Sequence, residues 1–219
     1  MKSKYVILTG FLFILLAFIS CQNEVNKISK VGNNKSTPIL KTSAKTELKT
    51  ISIQPFSDLS PQLSNYVFKE LKKIYPLVEL NSPIPLPKSA YYTPRSRYRA
   101  DLLIAYLDKI HKKGHVIIGL TGKDISTTKG EVYDWGVMGL GYKPGNACVV
   151  STYRLDKKNL KDQLFKVSVH ELGHTQSLSH CPNPTCFMRA AEGGNPTDQE
   201  TGFCPKCMAV LVKKGWQFK

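Results

Sequence analysis

Three of the five histidines in this 219-residue chain fall between positions 170 and 180, as His170-Glu171-Leu172-Gly173-His174 followed by His180. On a helix, His170 and His174 stand about one turn apart, so both imidazoles leave the same face and can bind one metal ion. Glu171 lies about 100° further round. That places it beside such an ion rather than on it, where its carboxylate can take a proton from a water held by zinc. His180 is too distant for the same helical face, so the chain must turn back after His174 to bring it in. Three neutral nitrogens with a fourth position left open form the ligand set of a catalytic zinc, and hydrolysis is the chemistry such a site performs.

A second constellation follows at once. Cys181, Cys186, Cys204 and Cys207 are spaced C-x4-C and C-x2-C with seventeen residues between the pairs. Four thiolates in two close pairs can close a tetrahedral zinc site with no open position, which makes it structural. Two disulfides are the rival arrangement in an exported protein. The spacing favours zinc, because C-x2-C disulfides are usually redox-active rather than structural. Such a site would tie Cys181, next to His180, to a C-terminal helix around Cys207 to Lys213.

The metal helix is expected from Asp156, a good N-cap, to His174, with Leu160, Leu164, Phe165, Val169 and Leu172 packed on a sheet. The rest of the domain has to supply that sheet. Ile51 to Pro55 and Leu77 to Leu80 read as short strands. His115 to Leu120 and Ala147 to Ser151 are buried apolar runs, Val132 to Leu140 a further strand, and Cys148 a small core side chain. Capping chemistry at Asp58-Leu59-Ser60-Pro61 opens a helix that stops before Pro76. A second helix spans Tyr98 to Lys113 and ends at Gly114. The prolines of Pro83 to Pro87 exclude helix there and leave an extended crossing loop. His111 and His115 straddle a helix end, so they are read as structural or solvent-facing rather than as a metal pair.

The N-terminus has a different character. Met1 to Ser20 combines two lysines, an apolar run and a small residue before Cys21, the pattern of a lipoprotein signal in which Cys21 becomes the lipidated first residue. Residues 21–50 are rich in Asn, Lys, Ser and Thr and read as a flexible tether. Residues 51–219 then form one domain, lipid-anchored in the cell envelope of a bacterium and facing the periplasm or exterior. Net charge is +15, but the lysines are scattered without an arginine-aromatic cluster, which argues against nucleic acid as a partner.

The run His170-Glu171-x-x-His174-x-x-Ser177-x-x-His180-Cys181-x4-Cys186-x-Met188, followed by Cys204-x2-Cys207, resembles the archaemetzincins, a branch of the metzincin zinc metallopeptidases. Ile53-Gln54-Pro55-Phe56, Pro85 to Tyr91 and Tyr98 to Leu103 are similar to that family's N-terminal half. The resemblance implies an α+β, metzincin-like fold: a mixed twisted sheet with packed helices, an active-site helix, a Met-turn, and a C-terminal helix tied by a four-cysteine zinc site. It implies two zinc ions, the catalytic one on His170, His174 and His180 and the structural one on Cys181, Cys186, Cys204 and Cys207. Glu171 would be general base and acid, and Met188 the Met-turn methionine beneath the histidines. Val137, Met138, Gly139 and Leu140 would lie near the edge strand that pairs with an extended peptide. Ser177 departs from the pattern: the family has glycine where the chain turns after the helix, and a serine held left-handed there costs roughly 1 kcal/mol.

The function expected is hydrolysis of peptide bonds in a peptide or protein substrate by a monomer. Tyr133, Tyr142 and Tyr153 are unranked candidates for a second acid. The alternative is a zinc-stabilised peptide- or protein-binding module that cleaves nothing, against which the intact Glu171 counts.

Overall fold

A computed structural model describes residues 48–218. The leader, Cys21 and most of the expected tether lie outside the described residues. Among the described residues Thr50 already belongs to the first strand, and Lys49 Nζ bonds Asn146 Oδ1 at 2.8 Å.

Five strands form the main sheet: β1 (Thr50–Pro55), β2 (Val78–Leu80), β5 (His115–Thr121), β9 (Ala147–Ser151) and β8 (Gly139–Gly141), in the order β2-β1-β5-β9-β8. All pairings are parallel except β8 on β9, so β8 is an antiparallel edge. The inner strands read as continuous apolar runs because both faces of the sheet are covered. Val116, Ile118, Leu120, Cys148 and Val150 face a core shared with α1 (Pro61–Ile74) and α3 (Leu160–Thr175), while Ile117, Ala147 and Val149 face α2 (Ala100–Ile110). Period-two alternation thus splits one strand between two cores. α2 approaches so closely that a β-carbon on Gly119 would stand 2.6 Å from Leu107 Cδ1.

A second sheet of four strands carries β3 (Tyr91–Tyr92), β4 (Arg97–Arg99), β6 (Ile125–Lys129) and β7 (Val132–Val137) in that order. The chain closes with α4 (Pro205–Val212) and Trp216, which is buried among Tyr75, Phe203 and Phe218.

Several expectations need correction. The run Val132 to Leu140 is two strands in different sheets: Val137 pairs with Ile125, and after Met138 the chain crosses to β9, with Ser151 N–H donating to Met138 O at 2.8 Å. Tyr98 and Arg99 belong to β4 rather than to a helix, and α2 ends at Ile110, four residues before Gly114. β4 and β6 escaped notice because their signal is polar. Arg97 and Arg99 are buried by pairing, Arg97 with Asp124 at 3.1 Å and Arg99 with Asp101 at 3.1 Å. α3 begins at Leu160 rather than after Asp156, whose carboxylate instead accepts from Lys158 N–H. Ser60 holds the extended N-cap conformation of α1 without a side-chain cap, and Asp58 bonds Thr121 Oγ1 and Gly122 N–H instead. Tyr75 ends α1 as expected, because Pro76 drives the residue before it out of the helical region.

Candidate active site

α3 presents His170, Glu171 and His174, and its C-terminus explains how His180 returns. Leu178 N–H donates to Gly173 O and Ser177 N–H to His174 O, the paired bonds of a Schellman ending. That ending requires a left-handed residue, and Ser177 supplies it at φ +80°. The buried Leu178 then covers the last turn, and the chain doubles back to His180.

The three rings converge, with centroids 4.7 Å apart for His170 and His174, 5.4 Å for His170 and His180, and 4.9 Å for His174 and His180. His170 Nδ1 lies 2.6 Å from Phe187 O and His174 Nδ1 lies 2.8 Å from Leu178 O. A carbonyl only accepts, so each Nδ1 carries the proton and each Nε2 keeps a lone pair. Those two Nε2 atoms stand 3.1 Å apart. Two nitrogens on one tetrahedral zinc would be separated by roughly 3.3 Å, so the donor set fits that ion. Burial, followed by the neighbouring His174, holds His170 down at about 3. Burial likewise lowers His174 and His180, with Lys143 acting in the same direction on both. All three are therefore neutral and ready to ligate at physiological pH.

Glu171 is buried under β8, and burial pushes its carboxyl up to about 8. Gly139 and Gly141 make this possible: a β-carbon on Gly139 would meet the Glu171 side chain, and one on Gly141 would lie 2.7 Å from Glu171 O. Met188 is fully buried beneath the helix, where a β-carbon on Gly173 would stand 2.5 Å from its sulfur. Its carbonyl accepts from Cys181 N–H at 2.8 Å, tying the returning strand to the turn below.

Cys181, Cys186, Cys204 and Cys207 meet beside this turn, their sulfurs all within 4.8 Å of one another and none in a disulfide. Cys181 Sγ and Cys204 Sγ are 3.7 Å apart. That spacing fits two thiolates on one tetrahedral zinc, roughly 3.8 Å, rather than a bonded pair at roughly 2.05 Å. Burial opposes ionisation of Cys204, but the Cys207 amide and the neighbouring thiols hold it down at about 7. Burial, reinforced by Cys204 and Cys186, pushes Cys207 upward.

The cleft over the histidines has a volume of about 1110 Å³. Of the residues expected at a substrate strand, Val137 closes β7, Met138 is the crossover, and Gly139 and Leu140 lie on β8; all four line the cleft. Tyr133, Tyr142 and Tyr153 do not line it. Its further charged side chains are Lys129, Lys143, Arg154, Arg189, Glu192 and Glu200, none of which the sequence singled out. Lys143 Nζ bonds Ser179 Oγ at 2.6 Å beside His180, and Arg154 is held by Asp124 at 2.9 and 3.0 Å. Cys148 is a buried core thiol, and His115 bonds Ser52 Oγ at 2.7 Å away from this site.

Comparison with known proteins shows the family. The model of peptidase family M54 matches residues 58–213. The archaemetzincin of Haloquadratum walsbyi is 30% identical over 175 residues, covering 74% of this chain and 98% of its own. The crystal structure of archaemetzincin from Methanopyrus kandleri superposes with a TM-score of 0.65 at 26% identity, covering 78% of this chain and 98% of that one. A structure described as a zinc-dependent peptidase from Methanocorpusculum labreanum gives a TM-score of 0.63 at 25% identity, covering 74% and 99%. The chain belongs to peptidase family M54, with the archaemetzincins.

Proposed function

We propose that this chain is a zinc-dependent peptidase in which His170, His174 and His180 hold the catalytic metal, Glu171 moves the proton, and the four cysteines hold a second, structural zinc. The observation that carries this reading is the pair of Nε2 atoms 3.1 Å apart, each on a ring whose Nδ1 faces a carbonyl. Zinc bound there would supply Lewis acidity, lowering the pKa of water towards neutrality and polarising a peptide carbonyl. Glu171 takes the proton of the attacking water and returns it to the departing amine. Met188 supports the histidine turn from below as an apolar floor.

β8 offers the substrate its open edge. Ser151 N–H bonds Met138 O, so by antiparallel alternation Leu140 also bonds inward and Gly139 and Gly141 turn their amide and carbonyl groups outward. An extended peptide can pair with them through main-chain bonds common to every sequence.

The domain is attached to the cell envelope through a lipid on Cys21, a reading supported by the basic and apolar leader alone. Among the described residues no helix is long and apolar enough to cross a membrane.

Digestion of a peptide library, followed by mass spectrometry, tests the central claim. Wild type should cleave, while Glu171→Gln should keep both zinc ions by elemental analysis and lose hydrolysis. Undiminished cleavage by that variant would remove Glu171 from the mechanism. Product lengths would also separate removal of terminal residues from internal cleavage.

A further inference from the structure

The cleft continues past the histidines along α3 towards Val167, one helical turn before Glu171, and there Glu200 lines it. Glu200 follows the short 3-10 turn Thr197–Gln199 and is only 4% exposed. Its carboxylate accepts no hydrogen bond and forms no ion pair among the described residues. The nearby cations are engaged elsewhere. Lys166 Nζ bonds Asp162 Oδ2 at 2.7 Å and Thr197 O at 3.0 Å, and Arg189 Nη1 bonds Gln199 Oε1 at 2.6 Å and Pro184 O at 3.2 Å. Asp198, the other acid of this turn, has its own donor in Gln163 Nε2 at 2.8 Å.

A largely buried carboxylate that meets no donor from its own chain, and whose oxygens still reach the cleft, is placed to accept from a group that enters there. We propose that Glu200 determines specificity in a subsite one helical turn from Glu171, where it receives the lysine or arginine side chain of a peptide substrate. This inference rests on the peptidase reading above. The pairing satisfies both partners: the substrate cation finds an acceptor inside the cleft, and the carboxylate gains the donor the chain itself does not provide. Burial, only partly offset by Lys166 and Arg189, pushes the Glu200 carboxyl up to about 7, as expected of an acid awaiting a cation. The overall charge of +15 repels cationic peptides in general. A preference for them would therefore have to arise locally.

Two measurements test the proposal on the zinc-loaded protein. In a library digest, wild type should favour lysine or arginine at one position flanking the cleaved bond, and Glu200→Gln should lose that preference. In fluorescence anisotropy with Glu171→Gln as host, a labelled dodecapeptide of alternating lysine and alanine should bind about ten- to hundredfold more tightly than its norleucine counterpart. Adding Glu200→Gln should abolish the difference. Cleavage without a basic preference, or the same preference in Glu200→Gln, would overturn the role of Glu200 and leave the peptidase reading standing. Selective binding of the lysine peptide without any cleavage by wild type would do the reverse. If Glu200→Gln does not fold, Glu200→Asp, which withdraws the carboxylate by one methylene, should weaken the preference; an unchanged ratio there would also overturn it.

Discussion

Gly139 on the edge strand leaves no room for a side chain above Glu171: a β-carbon there would lie 2.6 Å from Glu171 Oε1 and 2.6 Å from Glu171 Cγ. The glycine lets strand and carboxylate approach. Gly139→Ala should therefore push the carboxylate or the strand aside. A displacement near 1 Å in a catalytic group costs about 10²-fold in rate, so kcat/KM should fall on that scale while elemental analysis finds the zinc content unchanged. Wild-type kinetics in this variant would show that the approach is not needed for catalysis.

Ser177 holds the left-handed position that ends α3, at φ +80°. Glycine adopts this conformation without the clash of a β-carbon, although the unfolded glycine chain has more freedom to lose. Ser177→Gly should gain ~0.5–1 kcal/mol, raising Tm by about 1–4 °C, with activity retained. Calorimetry that finds no gain or a loss would mean that the serine is accommodated without strain.

The cysteine site and the histidine site share one segment of chain, since Cys181 directly follows His180 and its N–H is fixed on Met188 O. Cys204→Ser should release the structural zinc. By loosening the approach of His180 it should also weaken the catalytic zinc by about 10–100-fold, read from titration with a chelator. Full retention of two zinc ions, or disulfides in wild type on free-thiol counting, would contradict the four-thiolate assignment.

The Glu200 carboxyl titrates at about 7 when folded, against an ordinary 4.5. The folded chain therefore binds this proton more tightly than the unfolded chain. The associated stability is complete below about pH 4.5 and is lost as pH rises through 7. Glu200→Gln has no such proton to lose, so its stability relative to wild type should improve from pH 5 to pH 8 by ~1–3 kcal/mol. Parallel denaturant titrations across that range provide the measurement, and a constant difference would show that Glu200 ionises normally.

Much of the candidate site was legible because ligand chemistry limits both residue type and spacing. Two histidines at i and i+4 must share a helical face, and C-x2-C must bring two sulfurs together. The apolar strands β1, β5 and β9 were legible because both of their faces are buried. β4 and β6 were not, since Arg97 and Arg99 become interior residues only through Asp124 and Asp101, which are remote or unmarked in sequence. Nor was Glu200, an isolated glutamate whose lack of partners is a property of its surroundings.

The sequence by itself determined the candidate ligand residues, the helix that carries two of the histidines, and the glutamate that lies between them, because these follow from periodicity and coordination chemistry. Only the tertiary structure decided the rest. It split Val132 to Leu140 between two sheets and so placed Gly139 over Glu171. It fixed the protonated nitrogen of His170 by means of the Phe187 carbonyl, and it left Glu200 buried without a donor. These are relations between segments distant along the chain, set by how the sheets pack on α3, and no local pattern encodes them.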